Sequence, residues 1–205
     1  GTGERGIFNR QAAQNQAAKN GRRDATYEFG TNPCSEIILR PYQFCNLTEV
    51  VIRSGDTEQD LERKITVATI LGTLQATYTK FPYLRQVWQD NTNEERLLGV
   101  SLTGIMDNPL TTTANPKLPA LLERLRAVSV EVNKEWAGKL GITVSTAITA
   151  VKPSGTVSQL VNSASGIHAR HSEYYIRTVR GAFNDPLTQF MKDQGIPWEP
   201  CAHQP

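Results

Sequence analysis

The chain has 205 residues, 39% of them hydrophobic and 20% charged, with a formal net charge of +2. Those proportions suit one folded domain, or part of a larger one, and exclude intrinsic disorder. The basic residues are scattered, with Arg22-Arg23 and Arg63-Lys64 the only adjacent pairs, so no nucleic-acid partner is implied. No apolar run approaches the roughly 20 residues that a membrane span needs. The longest, Ile65 to Leu74, is interrupted by Thr66, Thr69, Gly72 and Thr73. Residues 1 to 20 lack the order of a signal peptide, which leaves the cytoplasm as the expected location.

In chain order, an Ala- and Gln-rich helix is predicted from Phe8 to Asn20, stopped by Gly21. Tyr27 to Val51 reads as extended segments and turns, because Pro33 and Pro41 exclude a long helix. Asp56 with Gln59 resembles a capping box opening a helix from about Thr57 to Tyr78. Its apolar face is Leu61, Ile65, Ala68, Leu71 and Leu74. Leu98 to Ile105 is a short strand or a buried turn. A long amphipathic helix follows, about Leu118 to Leu140, with Leu118, Leu121, Leu122, Leu125, Val128, Val132 and Trp136 as its buried stripe.

Thr146 to Val151 reads as a buried strand running into Pro153-Ser154-Gly155-Thr156 and a further turn or helix. Tyr174 to Val179 is a second strand candidate, and Pro186 to Gln194 a last short helix ending at Gly195. Helices alternating with short buried strands indicate α/β architecture. Both ends are abrupt, with Trp198 to Pro205 an extended polar tail, so the chain is expected to be a single fragment, residues 1–205, of a longer polypeptide.

The chemistry concentrates in Gly30-Thr31-Asn32-Pro33-Cys34-Ser35-Glu36-Ile37. Pro33 biases Asn32 toward extended backbone, where residues two apart point the same way. Asn32, Cys34 and Glu36 would then present an amide, a thiol and a carboxylate on one edge. Such a triplet binds hydroxyls and exchanges protons or hydrogen. A turn with a buried cysteine and two surface polar residues fits the same spacing. A carboxylate beside a thiol disfavours the thiolate, which points away from a cysteine hydrolase.

The three cysteines, Cys34, Cys45 and Cys201, form neither a secreted disulfide framework nor a zinc motif. Cys201, with only His203 near it in sequence, reads as a plain buried thiol. His168 and His171 have a spacing that could supply metal ligands on a helix, but Arg170 lies between them and no metal site is expected. Lys152 to Ser158, Lys-Pro-Ser-Gly-Thr-Val-Ser, follows a predicted strand and opens a turn or helix. Backbone N–H groups there, with hydroxyls of Ser154, Thr156 and Ser158, suit an anion, and a plain capped loop fits equally well.

The run Asn32 to Ile37, followed by Pro41-Tyr42-Gln43-Phe44-Cys45-Asn46-Leu47, closely resembles the active-site finger loop of ribonucleotide reductases. Gly6 to Asn9, Glu95 to Gly104 and Lys152 to Ser158 also look like that family, so the likeness extends across nearly the whole chain. It implies part of a ten-stranded α/β barrel, with residues 30–46 as the central finger loop and about 152–158 as the phosphate loop. It implies that Cys34 becomes a thiyl radical that takes the 3′ hydrogen of the substrate ribose. Glu36 would be the base at the 3′ hydroxyl, Asn32 would bind substrate hydroxyls, and Cys45 would be one of two reducing cysteines.

The partner of Cys45 should lie upstream, and no cysteine precedes Cys34 here. Ser154, Gly155, Thr156, Val157 and Ser158 would hold the substrate diphosphate. The interval from Cys34 to Cys45 is eleven residues, which resembles the adenosylcobalamin-dependent members, so adenosylcobalamin is the implied cofactor. The expected activity is reduction of ribonucleoside di- or triphosphates to deoxyribonucleotides by the longer chain. A thioredoxin-like reductant is the implied partner, and a homodimer is among the assemblies the resemblance allows. The rival readings are a nucleotide-binding α/β module with structural cysteines, and an inactive flanking segment.

Overall fold

The computed structural model describes residues 6–201, so His203 lies outside the described residues. Two compact units divide between Arg170 and His171. The first opens with α1, Arg10–Ala18, whose cap is the Asn9 side chain accepting from the Ala12 N–H at 3.0 Å. Its Ala13 and Ala17 are buried with Phe29. Next come two two-residue strands, β1 (Gly30–Thr31) and β2 (Ile38–Leu39), paired antiparallel as a hairpin. The segment that the resemblance makes a finger loop, 30–46, is here a short hairpin followed by coil as far as Cys45.

A βαβ unit follows. Strand β3 (Asn46–Val51) leads through α2 (Glu58–Gln75) and α3 (Gln86–Glu95) to β4 (Leu98–Thr103), which pairs with β3 in parallel. After β4 come a 3-10 turn at Ile105–Asp107 and then α4, Leu118–Leu140, ended by Gly141 in the left-handed region. The chain then returns beside β4. The Leu98 and Val100 N–H groups donate to Ala147 and Ile148 carbonyls, and Ala150 N–H to Val100. The strand expected over 146–151 is thus a stub, with the single parallel bridge Val100–Thr149.

Alternation along β3 and β4 decides what each face carries. Val50, Ile52, Leu98 and Val100 join Leu61, Ile65, Leu121, Leu125 and Ile148 in one core, so α2 and α4 cover that face. The other face carries Leu47 and Gly99: a Cβ on Gly99 would run into Leu47 and lie 3.3 Å from Ile37 Cδ1 and 3.8 Å from Ala150 Cβ. Glycine here lets the hairpin residue Ile37 sit down on the sheet.

Several expectations are corrected. The capping box of α2 is Thr57 with Asp60, one residue beyond the expected pair; Asp56 instead accepts from the Arg53 N–H and pairs with Lys64. Leu71 and Leu74 are exposed, whereas Thr69, Gly72 and Thr73 are buried. At about 100° per residue, Leu74 lies well off the line of Leu61 and Ile65. In α4 the stripe shifts by one position: Ser129, Asn133 and Ala137 are buried, and Leu122 is exposed. Asn133 is satisfied there, donating to Thr73 at 2.9 Å and Ser145 at 3.0 Å and accepting from the Ser145 N–H.

Past Thr156 the chain forms only one helical turn, α5 (Val157–Leu160). In the second unit, α6 (Pro186–Asp193) is capped by Asp185, and Lys192 lies over the Phe183 and Trp198 rings. Tyr174 to Val179 forms no strand, and Ile176 is 98% exposed.

Candidate active site

The Asn32–Ile37 turn is closed by its own polar groups. The Ser35 N–H donates to the Asn32 carbonyl and the Ile37 N–H to Asn32 Oδ1, both at 3.0 Å. Ser35 adopts φ +64°, sparsely populated for a residue with a side chain and held here by those bonds. Asn32 Nδ2 donates to Glu36 Oε1 at 2.5 Å. The same oxygen takes the Lys152 ammonium at 2.8 Å. Glu36 Oε2 is buried without a hydrogen-bond partner. A carboxylate with one oxygen saturated and the other buried and open is an acceptor awaiting a donor.

Electrostatics follow from this cluster. Burial pushes the Glu36 carboxyl up, but hydrogen bonds from Lys152 and Asn32 with the Lys152 charge outweigh it, and the net direction is down. The bond to Glu36 raises Lys152, against partial desolvation. Burial pushes the half-buried Cys45 thiol up; Glu36 adds to this and Lys152 opposes it. Cys34 is exposed at the hairpin tip, and its interaction with Lys152 places it in the same field. Asn32, Cys34, Glu36 and Cys45 thus gather around Lys152. Cys201 is exposed, contrary to its expected burial.

The hairpin is fixed from behind by a buried ion pair. Arg23 donates to both Glu95 oxygens at 2.8 Å, and its third nitrogen donates to the Ile38 carbonyl. Gln43 bridges Glu95, Arg23 and the Arg40 N–H. Arg40 lies over the Tyr27 ring at 3.7 Å. Sequence reasoning missed this anchor and missed Lys152 as the partner of Glu36. The only local signal was the lysine opening the Lys152–Ser158 run.

That run leaves the sheet beside β4. Ser154 and Ser158 are buried, with hydroxyls 3.0 Å apart, and Ser154 Oγ lies 2.8 Å from Ser165 Oγ. The Val157 N–H is used within the turn, donating to the Ser154 carbonyl. Gly155, Thr156 and Val157 are exposed, and Gly155 takes φ +57°. The loop therefore presents backbone at Gly155 and Thr156, while two of its three hydroxyls are spent inside. His168 is exposed, and among the described residues no group of three His, Cys, Asp or Glu side chains could hold a metal ion.

No family model matches the chain. It is 30% identical over 99% of its length to an adenosylcobalamin-dependent ribonucleoside-triphosphate reductase of Lactobacillus gasseri. A protein of the same description from Lacticaseibacillus paracasei is 29% identical over 97% of the chain. Its relatives are adenosylcobalamin-dependent ribonucleotide reductases. The chain spans 31% and 30% of the length of those two reductases. A crystal structure of a B12-dependent, class II ribonucleotide reductase matches 68% of the chain and 22% of its own, with a TM-score of 0.57 and 24% identity. At that identity the reductase structure speaks for a shared α/β fold.

Proposed function

We propose that this chain is the part of an adenosylcobalamin-dependent ribonucleotide reductase that carries the reacting thiol, its base and one reducing cysteine. The observation that carries the reading is the Glu36 carboxylate, with Oε1 held by Asn32 and Lys152 and Oε2 buried and open, while Cys34 and Cys45 both lie in the field of the same Lys152 ammonium. The Cys34 thiol, as a radical, takes the 3′ hydrogen of the ribose. Glu36 Oε2 accepts the 3′ hydroxyl proton, and Asn32 orients the hydroxyls. Cys45, kept as a neutral thiol by burial, supplies reducing hydrogen at the 2′ position and ends in a disulfide with a second cysteine.

Ser154 to Ser158 hold the substrate phosphates, chiefly through backbone N–H groups at Gly155 and Thr156. Adenosylcobalamin, when bound, supplies the radical initiation that ordinary side chains cannot. What suits the chain to it is the exposed position of Cys34, which leaves the thiol open to a bound group. The relatives' description favours a ribonucleoside triphosphate as substrate. The barrel with its central finger, a thioredoxin-like reductant, a homodimer and a cytoplasmic setting belong to the same reading.

The test is deoxynucleotide formation by the full-length protein with adenosylcobalamin, a dithiol and each ribonucleoside triphosphate. Cofactor-dependent product lost in E36Q is the expected result. Nucleotide binding without product in the wild type would refute the reading.

A further inference from the structure

The mechanism above gives the Lys152 ammonium no part beyond holding Glu36 Oε1, and it leaves a second carboxylate, Glu49, unused. By strand alternation Glu49 shares the hairpin face of β3 with Leu47 and Cys45, opposite the helix-covered face of Val50 and Ile52. It pairs in register with Ser101 on β4. Beyond β4 lies the stub at 147–150, which delivers Lys152 to this same face. Glu49 Oε1 is buried with no hydrogen-bond partner, as is Glu36 Oε2. Two carboxylates with open oxygens thus lie on the face that Lys152 reaches, and the ammonium contacts one of them.

We propose that Lys152 is a positioning residue for the proposed reaction, shared between Glu36 and Glu49 so that Glu36 stays an ionised base until substrate arrives. The ammonium holds Glu36 Oε1 and leaves Oε2 for the incoming hydroxyl. When Glu36 takes the proton, its attraction for the ammonium falls, and Glu49 is the remaining anion on the same face to balance the partly exposed Lys152 charge. The groups facing Lys152 are Glu36 and Cys34 from the turn, Cys45 from the coil before β3, and Glu49 from β3. Burial raises the Glu49 carboxyl and Lys152 opposes that rise, in keeping with a second, looser partner.

This inference rests on the functional reading, and two readouts separate them. The first is the pH dependence of turnover in the full-length enzyme. In K152M the Glu36 carboxyl is left to its burial, its pKa rises, and the acid limb moves up by about one to three pH units. K152R, which keeps the charge, should bring the limb back. E49Q removes the competing anion, so Lys152 grips Glu36 harder and the limb moves down. A merely structural role would lower turnover in both variants without moving the limb, and an unmoved limb in folded K152M overturns the proposal. Should K152M fail to fold, the downward shift in E49Q decides: an unmoved limb there overturns the sharing.

The second readout needs no turnover. Alkylation of Cys45, followed on its own peptide by mass spectrometry, should reach half-rate at a higher pH in K152M than in wild type. If the wild type makes no deoxynucleotide yet this midpoint shifts, the functional reading fails, while Lys152 is still shown to set the charge of this cluster. No shift in either readout defeats the inference alone.

Discussion

Cys34 and Cys45 stand in different surroundings, in keeping with the different roles proposed for them. Cys34 is exposed at the tip of the hairpin, whereas Cys45 is half-buried, with its thiol pushed up by burial and by Glu36. In the full-length enzyme C34S should abolish exchange of the substrate 3′ hydrogen, because a hydroxyl is a far poorer hydrogen-atom relay than a thiol. C45S should still allow that abstraction and stop reduction, giving substrate breakdown in place of product. Labelled substrate followed by mass spectrometry separates the two outcomes; equal turnover by both variants would refute the assignment. The Cys-Ser-Glu run was readable in the sequence because all its members lie within one turn. Lys152 was not, since 116 positions separate it from Glu36 and only the fold brings the two to 2.8 Å.

Among the elements, the hairpin depends on an anchor outside itself, because four paired residues cannot hold a turn in place alone. Arg23 and Glu95 supply it, with side chains 4% and 2% exposed. R23A would leave Glu95 buried with only Arg40 and Gln43 beside it, at a cost of about 3 kcal/mol. Chemical denaturation should show that loss, and a change below about 0.5 kcal/mol would mean the pair is not the anchor. The elements legible in sequence were those with strong local signals. The bounds of α4 match the expected Leu118 to Leu140, and Gly141 ends it as expected. The misplaced stripes of α2 and α4 share a cause beyond the angular offset of Leu74: the two helices meet partly through Thr73 and Asn133, polar residues that an apolar pattern assigns to solvent. Tyr174 to Val179 has strand composition, but among the described residues no strand pairs with it.

At the scale of the whole molecule, stability is unevenly spread. The β3–β4 pair with α2 and α4 holds the main core, while residues 171–201 contribute no buried side chain. Amide exchange should therefore be slowest at Val50, Leu98 and Val100 and fast throughout 171–201; protection of both to the same degree would contradict this division. The same unevenness governs what the 205-residue chain can do alone. It spans 31% of the length of the L. gasseri reductase. Among the described residues β3 pairs only with β4, so its outer edge has no strand, and a groove of about 590 Å³ lined by Val50, Val67 and Leu71 runs beside it. An open strand edge and exposed apolar residues such as Leu160 and Ile176 favour self-association. In the role proposed for it, Cys45 also needs a second thiol whose Cα comes within about 7 Å. The isolated chain should thus aggregate as its concentration rises and form no deoxynucleotide, even with adenosylcobalamin and a dithiol. Assayed beside the full-length protein, turnover by the isolated chain at a comparable rate would show that the edge of β3 and the missing thiol do not limit the chemistry.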